Sequence, residues 1–180
     1  MSRTSLTSPA QQVEPTRAME IRGETAGDIP AIRHLLAEAF PTSAEADLVD
    51  RLRADNSCVF SLVATADRQL VGHVMLSRME RPRNALGLAP VAVLAARRRQ
   101  GIAAALIRDG LSRAKADDWG SVFVLGDPDY YNCFEFAASL AEGFGSPYAG
   151  PHLMALILRE GGLSERSGEL RYPPAFAALA

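Results

Sequence analysis

The stretch LAPVAVLAARRRQGIAAALI, residues 88–107, decides the fold, because an apolar strand passes through a basic, glycine-containing turn directly into a helix. Leu86–Leu94 is apolar on both faces, as central strands are, and Pro90 within it predicts a bulge or a break in the ladder. The next apolar residues recur at the 3–4 spacing of a buried helical stripe: Ala103, Leu106, Ile107, Gly110, Leu111 and Ala114. The apolar run Ser121–Leu125 then completes a right-handed strand–helix–strand unit.

The segments on either side supply further strands and helices, so the pattern favours a mixed sheet flanked by helices. The predicted elements are a short strand at Met19–Arg22, helices that begin after Asp28 and after Thr42, a hairpin of Cys58–Ala64 and Gln69–Met79 that turns near Asp67–Arg68, a short helix near Pro128–Phe134, and late strands near Leu153–Leu158 and Glu169–Tyr172.

Length and composition predict one globular domain. The chain has 180 residues, 48% of them hydrophobic, and a formal net charge of −2, which argues against a nucleic-acid partner. Residues 1–18 are rich in Ser, Thr, Gln and Pro, which predicts a flexible N-terminal tail; a transit peptide is the alternative. We therefore expect residues 19–180 to form a single domain.

Cysteine and histidine usage predicts neither a disulfide framework nor a metal site. Cys58 and Cys133 lie far apart, as in proteins of a reducing compartment, so we expect a cytoplasmic protein. The three histidines are scattered, which gives no metal-binding pair. The longest apolar runs are too short to span a bilayer.

The basic turn before the long helix predicts an anion site. Arg97, Arg98 and Arg99 precede a helix that begins near Gly101, although the positive end of a helix dipole disfavours cations. Free backbone N–H groups, the dipole and the guanidinium groups together would bind an anion, and Gly101 lets it approach the backbone. A solvated basic turn is the alternative reading. The glycine patterns of dinucleotide and nucleoside triphosphate sites are absent.

The same stretch resembles motif A of the GNAT acetyltransferase superfamily, with Arg98, Gly101 and Ala103 at its signature positions. The segment GDPDYYNCFEF, residues 126–136, is similar to a segment of the YhbS-like branch, and so are GHVMLSRM, GPHLMALIL and RYPPAF. The resemblance covers roughly residues 19–177. It implies an α/β (mixed α+β) fold with a central mixed, mostly antiparallel sheet, splayed parallel strands and flanking helices.

The resemblance also implies a site for acetyl-CoA, with no metal. In the family, backbone amides of this turn bind the pyrophosphate of coenzyme A, and the preceding strand pairs with the pantetheine arm. In this chain the implied cofactor-binding residues are Val91, Ala92, Val93, Arg98, Arg99, Gln100, Gly101, Ile102, Ala103 and Ala104. Two residues depart from the branch pattern: Cys133 replaces an arginine, and Glu135 replaces a glycine, which would cost ~1–2 kcal/mol if that backbone needs a positive φ.

Tyr131 and Glu45 are the candidate catalytic residues. Tyr131 lies where the family often places a tyrosine near the thioester sulfur, and a phenol can protonate the departing thiolate; a packing tyrosine is the alternative. Glu45 shares a helical face with Leu48, Val49 and Leu52, so it should point inward and guide or deprotonate an amine. A capping box of Thr42 and Glu45 is the alternative. His73, on a central strand, is either a base or a buried core histidine.

The predicted function is transfer of an acetyl group from acetyl-CoA to an amine of a small molecule or a protein. Backbone N–H groups near residues 91–93 would polarise the thioester carbonyl. The loop GFGSPYAGP, residues 143–151, is expected to wall the acceptor side. A non-catalytic CoA-binding module is the main alternative, and transfer of a longer acyl group is another. Both a monomer and a homodimer remain open.

Overall fold

The computed structural model describes residues 19–179, so the predicted tail at residues 1–18 lies outside the described residues. The strands are β1 Glu20–Gly23, β2 Cys58–Ala66, β3 Gln69–Arg78, β4 Ala85–Val93, β5 Ser121–Leu125, β6 Phe144–Gly145, β7 Leu153–Ile157 and β8 Gly168–Glu169. The α-helices are α1 Ile29–Ala39, α2 Ala44–Ala54, α3 Ile102–Ala116 and α4 Pro128–Tyr131.

Six strands form one sheet in the order β1-β2-β3-β4-β5-β7. Every neighbouring pair is antiparallel except β4 and β5, which are parallel and joined by α3. This topology confirms the mixed, mostly antiparallel sheet expected from the sequence. The predicted hairpin turn is also confirmed, since Asp67 and Arg68 adopt positive φ angles of 50° and 65°, as in a two-residue type I′ turn.

The predicted irregularity at Pro90 is confirmed as a bulge. Val91 pairs with Val74 and Leu88 pairs with Leu76, so two residues of β4, Ala89 and Pro90, oppose one residue of β3. On its other side, β4 pairs with β5 only from Ala85 to Gly87, although both strands continue beyond that point. The two parallel strands therefore diverge after three residue pairs and leave a wedge in the middle of the sheet.

Helices cover both faces of the sheet. On one face α1 and α2 bury Leu36 and Leu52 against residues such as Met75. On the other face α3 packs Leu106 against the sheet, and Gly72 permits that contact because a Cβ there would lie 2.9 Å from the Ile102 side chain. Each fully buried leucine stabilises the fold by ~2 kcal/mol relative to an exposed one. The apolar stripe predicted for α3 therefore packs on one face of the sheet, and α1 and α2 form a separate core on the other face.

The last predicted strand is wrong in extent. Only Gly168 and Glu169 form a strand, and they pair in parallel with β6, an element that the sequence did not predict. Arg171 instead forms an isolated antiparallel bridge with Arg81. The segment changes partner within three residues, which prevents a continuous ladder. No helix within residues 19–179 is both long and apolar enough to cross a bilayer.

Candidate active site

A cleft of about 480 Å³ opens where β4 and β5 diverge. Its walls come from the first turn of α2, the bulged half of β4, the end of β5 and the C-terminal segment. Residues that line it include Glu45, Pro90, Val91, Leu125, Tyr131 and Tyr172. The wedge in the sheet thus brings together Tyr131, Glu45 and one of the predicted strand residues, Val91.

Glu45 lies in the first turn of α2 and faces this cleft. Its Oε2 atom is buried and has no hydrogen-bond partner among the described residues. The capping-box alternative is wrong, because Ser43 occupies the N-cap position and the Thr42 hydroxyl accepts instead from the Ala44 N–H at 3.3 Å. A buried carboxylate oxygen without a donor is costly, so this atom is available to a ligand that supplies one.

Tyr131 is the last residue of α4 and faces the same cleft. Asp127 caps that helix by accepting from the Asp129 N–H at 3.0 Å. The ring of Tyr131 lies over Gly126, where a Cβ atom would come within 2.3 Å of the tyrosine Cε2. Burial, with a smaller effect of neighbouring Tyr130, raises the pKa of Tyr131 to about 12. The phenol therefore keeps its proton at neutral pH and can act as a donor.

Glu135, at the end of the turn after α4, has a φ of 69°. The family pattern has glycine at this position, and the strain expected from glutamate depended on a positive φ there. The structure confirms the positive φ. Glu135 is exposed, so its side chain brings no buried contact that would offset the strain of ~1 kcal/mol. The chain nevertheless keeps Tyr131 directed into the cleft.

The turn before α3 presents a run of unused backbone donors. Within the described residues, the N–H groups of residues 99–104 bond to no backbone carbonyl, and the first to do so is that of Ala105, which donates to the Gly101 oxygen at 2.9 Å. Arg99 and Gly101 have positive φ angles of 60° and 80°. Successive amides in such a turn converge on one point and form an anion-binding nest.

The arginines around that turn differ in their partners. Arg97 pairs with Asp67 at 3.1 Å, whereas Arg98 and Arg99 are exposed and form no ion pair with any described residue. Their positive charges would add to the field of the amides. Among residues 19–179, no group of three or more His, Cys, Asp or Glu side chains is placed to hold a metal ion.

Residues 91–93 connect the cleft to this turn. On one side they pair with Gly72–Val74 of β3, and on the other side no described strand pairs with them. Val91 lines the cleft, and the chain runs from Val93 through a short 3-10 turn to Gly101. The unpaired side of β4 is therefore open to an extended ligand between the cleft and the turn.

His73 lies outside the cleft, buried beneath α1 and α2. Its Nε2 atom lies 2.9 Å from the Ser61 hydroxyl, and Ser61 donates to the carboxylate of Glu24, which also accepts two bonds from Arg53. A carboxylate only accepts, so the single proton of the Ser61 hydroxyl goes to Glu24, and the Ser61 oxygen accepts from the Nε2–H of His73. The buried Nδ1 of His73 has no partner among the described residues. Burial lowers the pKa of His73 to about 4, against the effect of Glu24. This position supports the interpretation of His73 as a buried core histidine and not as a catalytic base.

The sequence did not identify the aromatic wall of the cleft. Tyr148, Tyr172 and Phe176 stand side by side, with ring centroids 6.1 Å apart for the first pair and 4.8 Å for the second. Tyr148 belongs to the loop at residues 143–151 that was expected to wall the acceptor side, and it lines the cleft. Tyr148 and Tyr172 are separated by more than 20 residues in the sequence, so no local pattern marks these rings as one wall.

Comparison with known proteins gives consistent matches. The model of the acetyltransferase (GNAT) family matches residues 29–132. The uncharacterized N-acetyltransferase YhbS of Escherichia coli strain K12 is 39% identical over 122 residues, which are 66% of this chain and 73% of that protein. The crystal structure of Escherichia coli YhbS in complex with CoA has a TM-score of 0.84 at 31% identity and covers 93% of this chain and 96% of that one. A GNAT acetyltransferase from Brucella melitensis in complex with acetyl-CoA has a TM-score of 0.75 at 30% identity, over 88% and 98% of the two chains.

Proposed function

Because the chain belongs to the acetyltransferase (GNAT) family and is an N-acetyltransferase that takes its acetyl group from acetyl-CoA, we propose that the transfer takes place in the cleft between β4 and β5. The observation that carries this proposal is the wedge in the sheet, where Tyr131 and Glu45 face one space beside the unpaired edge of β4. Acetyl-CoA would enter along that edge with its thioester in the cleft.

The turn before α3 would bind the pyrophosphate of the cofactor. The six unused N–H groups and the two unpaired arginines support this assignment. The pantetheine arm would then follow the open edge of β4 at Val91, Ala92 and Val93. There it would take the place of a neighbouring strand and pair with the backbone groups of β4. The proposed pyrophosphate-binding residues are Arg98, Arg99, Gln100, Gly101, Ile102, Ala103 and Ala104.

The chemistry is a direct attack by the amine on the thioester. The neutral nitrogen bonds to the carbonyl carbon, the C–S bond breaks, and the sulfur leaves as a thiolate. Tyr131 donates its phenolic proton to that thiolate and regains a proton from solvent. Glu45 holds the amine and accepts, through water, the proton that the nitrogen loses.

Release of free thiol, measured with acetyl-CoA and a panel of amines, tests this function. Tyr131→Phe should lower turnover by well over ~10-fold and leave acetyl-CoA affinity nearly unchanged, because the variant loses only the donor. Tyr130→Phe is the matched control, since Tyr130 is exposed and does not line the cleft. Unchanged turnover in Tyr131→Phe would remove its assignment. Binding of acetyl-CoA without turnover on any amine would instead indicate a CoA-binding module.

The state of the two cysteine thiols supports a proposal about the cellular compartment in which the protein works. Cys58 is half-buried and Cys133 is exposed, and both are free. Burial, and then the charge of Glu24, raises the pKa of Cys58 to about 11, so this thiol is unreactive at neutral pH. We propose that the protein works in the cytoplasm, where an exposed thiol stays reduced.

A further inference from the structure

We propose that the acceptor is a primary amine with a single positive charge on a compact, apolar and preferably aromatic body. Its ammonium group docks on Glu45 and loses one proton to solvent before the neutral nitrogen attacks the thioester. The inference rests on the proposed function and specifies the substrate class of the same cleft. It excludes polyamines and free amino acids as preferred acceptors.

The charges around the cleft select a single cation. Within the described residues, Glu45 is the one acidic side chain that lines the cleft, and no arginine, lysine or histidine lines it. The buried Oε2 atom has no donor, so an ammonium group would satisfy it with a charge-assisted hydrogen bond. A second ammonium group in the same space would find no acidic partner.

The same inventory disfavours a carboxylate on the substrate. The α-carboxylate of an amino acid lies two bonds from its amine, so it would be brought close to Glu45 with no cation in the lining to offset the repulsion. Amines without an acidic group avoid that cost.

The remaining walls select an apolar body. Phe40, Leu48, Tyr148, Tyr172 and Phe176 provide aromatic and aliphatic surface on the α2 and C-terminal sides. Aromatic rings pack edge to face with one another and attract cations over their faces, so this wall suits an aryl group attached to an ammonium group.

Two leucines at the cleft are left uncovered. Leu125 is 49% exposed and Leu179 is 36% exposed, and both line the cleft. They belong to the few large hydrophobic residues that are exposed among those described, and the others are Met19 and Tyr130. Apolar surface concentrated at the rim of a cavity marks a place that an apolar ligand covers. The volume of about 480 Å³ lies in the usual range for small-molecule sites.

The test compares acceptors at saturating acetyl-CoA, with thiol release as the readout. The panel contains 2-phenylethylamine, hexylamine, spermidine and L-phenylalanine, which separate aromatic body, aliphatic body, extra charge and carboxylate. We expect kcat/KM for 2-phenylethylamine to exceed that for spermidine and that for L-phenylalanine by at least ~10-fold each. Hexylamine should fall between, since it keeps the charge and the apolar body but loses the ring.

Glu45→Gln supplies the second arm. This substitution keeps the size of the side chain and removes its charge, so KM for 2-phenylethylamine should rise by at least ~10-fold while KM for acetyl-CoA stays unchanged. Glu38→Gln is the matched control, because Glu38 lies exposed on α1 and does not line the cleft. An unchanged amine KM in Glu45→Gln would overturn the role of Glu45.

The outcomes distinguish a failure of the substrate class from a failure of the acetyl transfer itself. If spermidine or L-phenylalanine is the better substrate, the substrate class is wrong and the acetyltransfer itself stands. If no amine of the panel releases thiol although acetyl-CoA binds, the substrate class is wrong, and a wider amine panel then decides the function. If acetyl-CoA does not bind, the proposed site fails with everything that depends on it.

Discussion

Acidification from pH 7 to pH 5 should lower the free energy of unfolding by about 2 kcal/mol through His73 alone. The imidazole is fully buried, its Nε2–H donates to Ser61, and its Nδ1 has no partner among the described residues. A second proton would have to bind at Nδ1, which would create a buried cation with no acceptor. Glu24, 3.9 Å from Nε2, is already paired with Arg53 and offsets only part of that cost.

The magnitude follows from the two pKa values. The pKa of His73 falls from 6.5 to about 4 on folding, because burial disfavours the charged form. Between these values the unfolded chain binds a proton that the folded chain does not, so unfolding becomes more favourable as the pH falls. Above pH 6.5 both states are neutral and the effect vanishes. The loss reaches about 2 kcal/mol by pH 5 and about 3 kcal/mol near pH 4.

Urea denaturation at pH 7 and pH 5, followed by circular dichroism, measures this effect. His73→Gln keeps a hydrogen-bonding side chain but does not titrate, so the stability difference between wild type and variant should shift by about 2 kcal/mol across the interval. Ser112→Ala is the control, because Ser112 is exposed on α3 and neither side chain carries a titratable group in this pH range. A difference that stays constant between the two pH values would refute the reasoning.

Two substitutions in the segment that carries Tyr131 test different properties: one tests its stability and the other tests the placement of the Tyr131 ring. Glu135→Gly should raise the free energy of unfolding by about 0.5–1 kcal/mol, because its φ of 69° suits glycine; in urea denaturation the exposed Glu142→Gly, without a positive φ, should give no such gain. Gly126→Ala should lower turnover by at least ~10-fold with little change in KM for acetyl-CoA, since its Cβ would lie 2.3 Å from the Tyr131 ring and displace the donor. Gly27→Ala, whose nearest contact is 3.7 Å, should keep full turnover in the same steady-state assay, and full turnover in Gly126→Ala would contradict the placement of Tyr131.

The sequence predicted the centre of the sheet well, because that part depends on local pattern. The bounds of β5 match the predicted run Ser121–Leu125, and β4 differs by one residue at each end. The bulge was readable from Pro90 because a proline cannot donate to a ladder. The inward direction of Glu45 was readable from helical periodicity, although its missing partner was not.

The parts that the sequence did not predict depend on contacts between distant residues. Glu24 follows β1 and Arg53 lies in α2, so the two meet only in the folded chain and the network at His73 has no local signal. The aromatic wall joins Tyr148 to Tyr172 and Phe176, which lie more than 20 residues further along the chain. The partner of β8 was missed because two-residue strands are too short to show an alternating pattern.

The run of unused amides before α3 affects how this chain can tolerate mutation. Recognition through main-chain atoms depends on the path of the backbone, and every residue type except proline carries the same N–H group. In the proposed binding mode, selection would therefore act on Gly101, whose φ of 80° disfavours other residues, more strongly than on the identity of the side chains around it. Replacing the arginines of this turn in related chains would remove only their charge contribution and leave the amides in place, so a search for charged side chains alone would overlook such sites.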